Sequence, residues 1–207
     1  MFTRGEKGED MPDHWADYTG LHAFLFIDHV EPGKTAEEVV EALRAKGKPP
    51  IMYASTFVGE FVAFAHARVR RIGELQDLIE DTIWPAGARC TWALETGITT
   101  RGAKRKSPGL VALTRIKMRN GTEDAAREKL VEDDRPGFVG ASVISGEHGI
   151  LLQMTGDSVD EVRGNVRNAL SDVEGVIRTS TSFADGDRTE ERYGDIPLNA
   201  MPDEEGS

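Results

Sequence analysis

The residues of this chain whose types and spacing allow chemistry are five histidines, a repeated pair of serines and a repeated pair of glutamates. His22 and His66 lie in LHAFLFIDHV and FVAFAHARV, two stretches with strand alternation. In such strands His22, Phe24, Phe26 and Asp28 share one face, as do Val62, Phe64, His66 and Arg68. Set side by side across a sheet, the two imidazoles would form either a metal or haem ligand couple or a buried hydrogen-bonded pair. No third ligand accompanies them, so no metal and no cofactor are assigned, and His22 with His66 stand as the alternative. His14 and His29 read as surface residues.

Glu60 in VGEF and Glu147 in SGEH each follow a glycine, Gly59 and Gly146. They read as a ligand rim or as solvated hairpin residues. His148 sharpens the second site, because a neighbouring carboxylate can hold a protonated imidazole. Ser55 and Ser142 also repeat, but no general base can be placed for either and no G-x-S-x-G elbow occurs, so no catalytic residue is assigned. A Walker loop, a G-x-G-x-x-G turn and Cys/His spacing for structural zinc are absent. The candidate ligand-binding set is therefore Ser55, Gly59, Glu60, Ser142, Gly146, Glu147 and His148.

These residues repeat because the chain does. An offset of 87 positions, that from Gly59 to Gly146, also carries Thr35 to Thr122, Leu43 to Leu130, Pro49 to Pro136, and Ala54 and Ser55 to Ala141 and Ser142. It carries Ile72, Leu75, Ile79 and Ile83 to Val159, Val162, Val166 and Leu170, which is the three-to-four spacing of a buried helical stripe. Each copy reads as strand, helix, strand, strand, helix, strand. Thr35 with Glu38 forms a capping box, Thr122 and Ser158 open helices in the second copy, and the two glycines reverse hairpins. This order is the ferredoxin-like plan, an antiparallel four-stranded sheet with both helices on one face. Phe24 and Phe26 make the open face apolar too, so it needs a cover, and the sheet of the other copy is the available one. The expected fold is α+β, with two tandem ferredoxin-like βαββαβ units forming an intramolecular pseudo-dimer.

The expected organisation is a mobile segment over 1–20, a first domain over 21–97, a basic linker over 98–108, a second domain over 109–184 and an acidic disordered tail over 185–207. The linker carries Arg101, Lys104, Arg105 and Lys106, and four basic residues in a chain of net charge -11 argue against nucleic-acid binding. No apolar run is long enough to cross a bilayer and the N-terminal residues lack a secretory core, so a cytoplasmic protein without membrane contact is expected. The single cysteine, Cys90, excludes an internal disulfide and reads as a small buried hydrophobe. Trp84 and Trp92 have only serines near their places in the second copy, which fits packing, an interface patch or one side of an asymmetric pocket.

The run VEPGKTAEEVVEAL (Val30 to Leu43), the Gly59-Glu60-Phe61 hairpin, the aliphatic helix and a last strand ending in threonine together resemble the ligand-binding (RAM) domain of Lrp/AsnC transcription regulators, of the dimeric α/β barrel group. The resemblance covers 21–97 and again 109–186. It implies a stand-alone regulatory protein that binds a small-molecule effector, an amino acid among them, or a protein partner, through homo-oligomers or pairing with Lrp/AsnC-type proteins. Twenty N-terminal residues cannot hold the helix-turn-helix of those regulators, so direct DNA binding is not expected. The family's hairpin aspartate is replaced by Val62 and Gly149. The same barrel group includes monooxygenase-like and haem-binding enzymes, which makes such an enzyme the alternative function.

Overall fold

The computed structural model describes residues 20–96, 100–101, 110–132 and 135–184. The expected N-terminal segment with His14, the acidic tail, and all but Arg101 of the basic linker's cations lie outside the described residues. The first half runs β1 (Leu21–Val30), α1 (Ala36–Ala45), β2 (Ile51–Val58), β3 (Ala63–Val69), α2 (Ile72–Leu78) with a π-helical turn (Ile79–Ile83), and β4 (Ala88–Leu94). A two-residue strand, β5 (Thr100–Arg101), follows. The second half runs β6 (Leu110–Met118), α3 (Glu123–Glu132), β7 (Phe138–Val143), β8 (Ile150–Gly156), α4 (Val159–Leu170) and β9 (Val176–Ala184).

Local chemistry sets the helix starts. Thr35 Oγ1 accepts from the Glu38 amide at 3.2 Å while Glu38 Oε2 accepts from the Thr35 amide at 3.0 Å, the reciprocal capping box expected of this sequence. Such a cap is worth about 1 kcal/mol. Ser158 caps α4 through the Glu161 amide at 3.2 Å. Thr122 does not cap with its side chain; its hydroxyl donates to the Arg119 carbonyl at 2.7 Å, and only its backbone carbonyl receives the Ala126 amide.

Each half forms the antiparallel order β4-β1-β3-β2 or its equivalent β9-β6-β8-β7. Two short seams join them. Phe57 pairs with Ala184 and Val58 with Phe183 on one side. On the other, Glu95 bridges Ile144 and the Ser145 amide donates to the Leu94 carbonyl. The eight long strands thereby close into a barrel, with β5 extending the second seam along β7. Three buried layers follow from strand alternation. Ala23, Leu25 and Ile27 pack outward under α1 and α2. Ala112, Ile116 and Leu152 pack outward under α3 and α4. Phe24, Phe26, Tyr53, Phe57, Phe61 and Phe64 point inward and meet Val111, Leu113, Ile144, Leu151 and Ala184 of the second half. The apolar open face of each sheet is thus covered by the other.

The uniform offset of 87 holds for β2, β3 and the helices but not for the remaining strands. The hairpin pairs Ser55–Phe64 and Ser142–Leu151 keep it. In contrast Leu21 pairs with Val69 where Leu110 pairs with Gly156, so β1 maps onto β6 at 89. The seams agree, since Phe57–Ala184 and Ile144–Glu95 correspond only if β4 maps onto β9 at 89 as well. One cause is visible: β1 carries a bulge at Asp28, between Ile27 and His29. The position equivalent to His22 is therefore Val111 rather than Gly109, whereas Gln153 does correspond to His66.

Candidate functional site

Along β6, Val111, Leu113 and Arg115 share the inward face, and Arg115 is 6% exposed. A guanidinium cannot lose its charge, so its burial demands compensation. The first half supplies it. Glu60, on the β2–β3 hairpin, holds Arg115 Nη2 at 2.9 Å. Asp28 lies 3.8 Å from Nη1, and Thr91 Oγ1 accepts from Nη1 at 3.4 Å. The guanidinium carbon lies 4.8 Å above the Phe26 ring and 5.4 Å from that of Phe61, so the cation also rests on aromatic faces. In the two-register mapping Arg115 is the counterpart of Phe26, which places this contact on the approximate twofold axis of the barrel.

Two hairpins frame the cation. Gly59 turns with φ 147° and Gly146 with φ 96°, as the sequence predicts for these reversals. The Glu60 and Phe61 amides donate to Ser182 Oγ at 2.9 and 3.4 Å, pinning the first hairpin to β9. Glu147 on the second hairpin holds Lys117 at 2.9 Å, and that bond, with the lysine's charge, sets its carboxyl below the usual range. His148 lies in the same field: burial and Arg115 push its imidazole below its ordinary value against the opposing pull of Glu147 and Glu60. The balance favours the neutral imidazole over the carboxylate-held imidazolium that adjacency to Glu147 suggests. Arg178 lies 3.9 Å from Glu60. The barrel mouth thus gathers Asp28, Glu60, Arg115, Lys117, Glu147, His148 and Arg178, with both signs of charge around one buried guanidinium.

The other candidates lie elsewhere. Ser142 Oγ donates to Glu95 Oε1 at 2.8 Å across the second seam. Ser55 is buried and donates to the Thr56 carbonyl at 3.5 Å; beside it, burial pushes the Tyr53 phenol up to about 12. His22 and His66 do meet, Nδ1 to Nε2 at 2.7 Å, both buried, with the His66 ring 4.9 Å from Phe24. One ring nitrogen of each is spent on the other. With the Phe24 ring packed on His66, the pair has the geometry of a buried hydrogen-bonded couple. Among the described residues no three His, Cys, Asp or Glu side chains come together as a metal site. Cys90 is half-buried; burial and then Asp28 push its thiol up to about 12, and with Glu31, Trp84, Ala88 and Arg89 it lines an open cleft of about 450 Å³.

The closed barrel of two antiparallel sheets with helices outside decides the architecture. It is a dimeric α/β barrel. No family model and no curated protein matches the sequence. Among solved structures the chain is similar to the siroheme decarboxylase NirDL, with TM-score 0.61 and 9% identity over 79% of this chain and 71% of that one. The same enzyme in complex with an iron-uroporphyrin III analogue gives TM-score 0.60 and 10% identity over 79% and 70%. An anthrone oxidase-like protein gives TM-score 0.50 and 14% identity over 82% of this chain and 92% of that one. At these identities the likeness is one of fold.

Sequence reasoning missed Arg115, Asp28, Thr91 and Ser182. Arg115 carried a readable signal, a permanent charge on the same strand face as Val111 and Leu113. The other three are small or exposed residues whose roles depend on the register between halves.

Proposed function

We propose that this dimeric α/β barrel binds a small metabolite at the mouth around Arg115, and that the ligand belongs to the carboxylate-bearing class that includes amino acids. The observation that carries the reading is a buried guanidinium whose two carboxylate partners, Asp28 and Glu60, have side chains 33% and 34% exposed. A ligand carboxylate can take the place of Glu60 on the planar fork, the geometry that arginine suits best. The released Glu60 and Asp28 would then face a ligand ammonium. The resemblance to Lrp/AsnC ligand-binding domains supports the effector class, and the absence of an arginine at position 26 limits each chain to one such site. Homo-oligomers, or pairing with Lrp/AsnC-type regulators, remain part of this proposal. Calorimetric titration with a panel of amino acids tests it. One ligand per chain is expected, with affinity reduced at least about tenfold in Arg115→Gln; heat changes absent across the panel would reject it.

A second reading, favoured by the solved structures of similar fold, makes the barrel an enzyme of the monooxygenase-like or tetrapyrrole-processing kind. Both named neighbours are enzymes or enzyme-like. Neutral His148 beside Arg115 would then be the proton acceptor, and the His22–His66 couple would only support the barrel wall. Turnover of an anthrone-type phenol or of a metallated uroporphyrin, lost in His148→Gln but kept in His66→Gln, would select this reading over simple binding.

A further inference from the structure

Fusing two copies of a domain does not by itself make them different, yet the inward faces of these halves differ at nearly every equivalent position. In the observed registers Phe24 corresponds to Leu113, Phe57 to Ile144, Phe61 to His148, Phe64 to Leu151 and Tyr53 to Gly140. The larger side chain belongs to the first half in every case. The rings of that half touch one another, Phe61 lying 5.4 Å from Phe26 and 5.2 Å from Phe57, and Phe64 5.4 Å from Phe26. Together with the aliphatic residues of the second half they form one buried cluster. At the axis the asymmetry is electrostatic, because Phe26 meets its own counterpart, Arg115.

From these pairs we infer that the two inward faces are mutually selective: each half accepts the other as partner and rejects a second copy of itself. Two first halves would set aromatic rings where Leu113, Ile144, Leu151 and Gly140 now leave room. Protein interiors are packed too closely to take up that volume without strain. Two second halves would leave voids in place of the rings and would put one guanidinium against another with no aromatic face between them. The occupant of each face is therefore the opposite half, whether from the same chain or exchanged with another chain, and never the like half.

The test is an exchange across the axis in the full chain. Phe26→Arg alone sets two guanidiniums against each other. Adding Arg115→Phe moves the cation to the first half, where Glu147 stands in the place that Glu60 holds for Arg115, and restores a cation over a ring. Phe26→Arg is expected to lower the urea midpoint by at least about 1 M or to prevent folding, and the double variant to recover more than half of that loss or to fold where the single does not. Leu151→Phe, an uncharged check, is expected to lower the midpoint by about 0.5–1 M and Phe64→Leu in the same chain to restore part of it. A double exchange no more stable than Phe26→Arg, or a Leu151→Phe chain with an unchanged midpoint, would overturn the inference.

Discussion

Removing Glu60 should cost more stability than removing the buried cation it neutralises. In Glu60→Ala the guanidinium of Arg115 stays 6% exposed and, beyond the Phe26 and Phe61 rings, keeps as polar partners only Asp28 at 3.8 Å and the Thr91 hydroxyl at 3.4 Å. Breaking a fully buried ion pair from one side costs about 3–5 kcal/mol, and losing an exposed pair about 0–1 kcal/mol. Glu60 is a third exposed, so part of the interaction is screened and the expected loss is about 2 kcal/mol. In Arg115→Met the charge itself goes. Asp28 and Glu60 already reach water, and the methionine keeps contact with the Phe26 and Phe61 rings, so the expected cost is below about 1 kcal/mol. With a urea slope of roughly 2 kcal/mol per molar, Glu60→Ala should lower the midpoint by about 1 M and Arg115→Met by less than about 0.5 M, read by far-ultraviolet circular dichroism. The reverse order would mean that Arg115 acts mainly as packing or that Glu60 is already free, and the electrostatic account of the mouth would fail.

Gly59→Ala should destabilise much more than Gly146→Ala, because a Cβ at Gly59 would lie 2.8 Å from Ser182 Cα and 2.9 Å from the Thr181 carbonyl, whereas one at Gly146 meets nothing within 4 Å. Thermal unfolding should show about 1 kcal/mol for the second, the strain of its positive φ alone, and at least twice that for the first. Ser182→Ala strips the acceptor from the Glu60 and Phe61 amides, and both should exchange hydrogen at least about tenfold faster, at a cost of about 1–3 kcal/mol. The Cys90 thiol, pushed up to about 12, should react with a disulfide reagent at pH 8 far more slowly than a free cysteine, and equal rates would show that β4 opens readily. His148 has a lowered folded-state value, so the unfolded chain takes up the proton first; stability should fall as pH drops below 6.5, and His148→Gln should flatten that part of the profile.

Much of the architecture was legible because it depends on short-range rules. The Thr35–Glu38 box, the helical stripe Leu75, Ile79 and Ile83 and the hairpin glycines involve residues a few positions apart and are found where periodicity and capping chemistry put them, although Ile72 and Val159, which start the stripe in each copy, are exposed rather than buried. The repeat converted those local patterns into a global one, since two equal sheets with apolar open faces have little choice but to cover each other. The strand neighbours His22 and His66 were legible for the same reason, through alternation and the antiparallel order of β1 and β3.

The site was less legible because it arises where the repeat is broken. At the ungapped offset Arg115 falls opposite Asp28, so that each copy shows one charge of opposite sign at that place. The bulge at Asp28 is part of a two-residue shift between β1 and β6, and a shift of two preserves which face a side chain occupies while changing its depth along the strand. Both readings keep Arg115 facing inward, but only the shifted one sets it on Phe26, beneath Phe61 and within reach of Glu60. Composition and periodicity are blind to such a shift, because the hydrophobic pattern is unchanged by it. The physical trace that does survive in sequence is energetic: an arginine on an otherwise apolar strand face must find carboxylates or aromatic faces in the opposite sheet. Asking which first-half residues could neutralise Arg115 would have led to the Glu60 hairpin and so to the mouth of the barrel, with no need of the register.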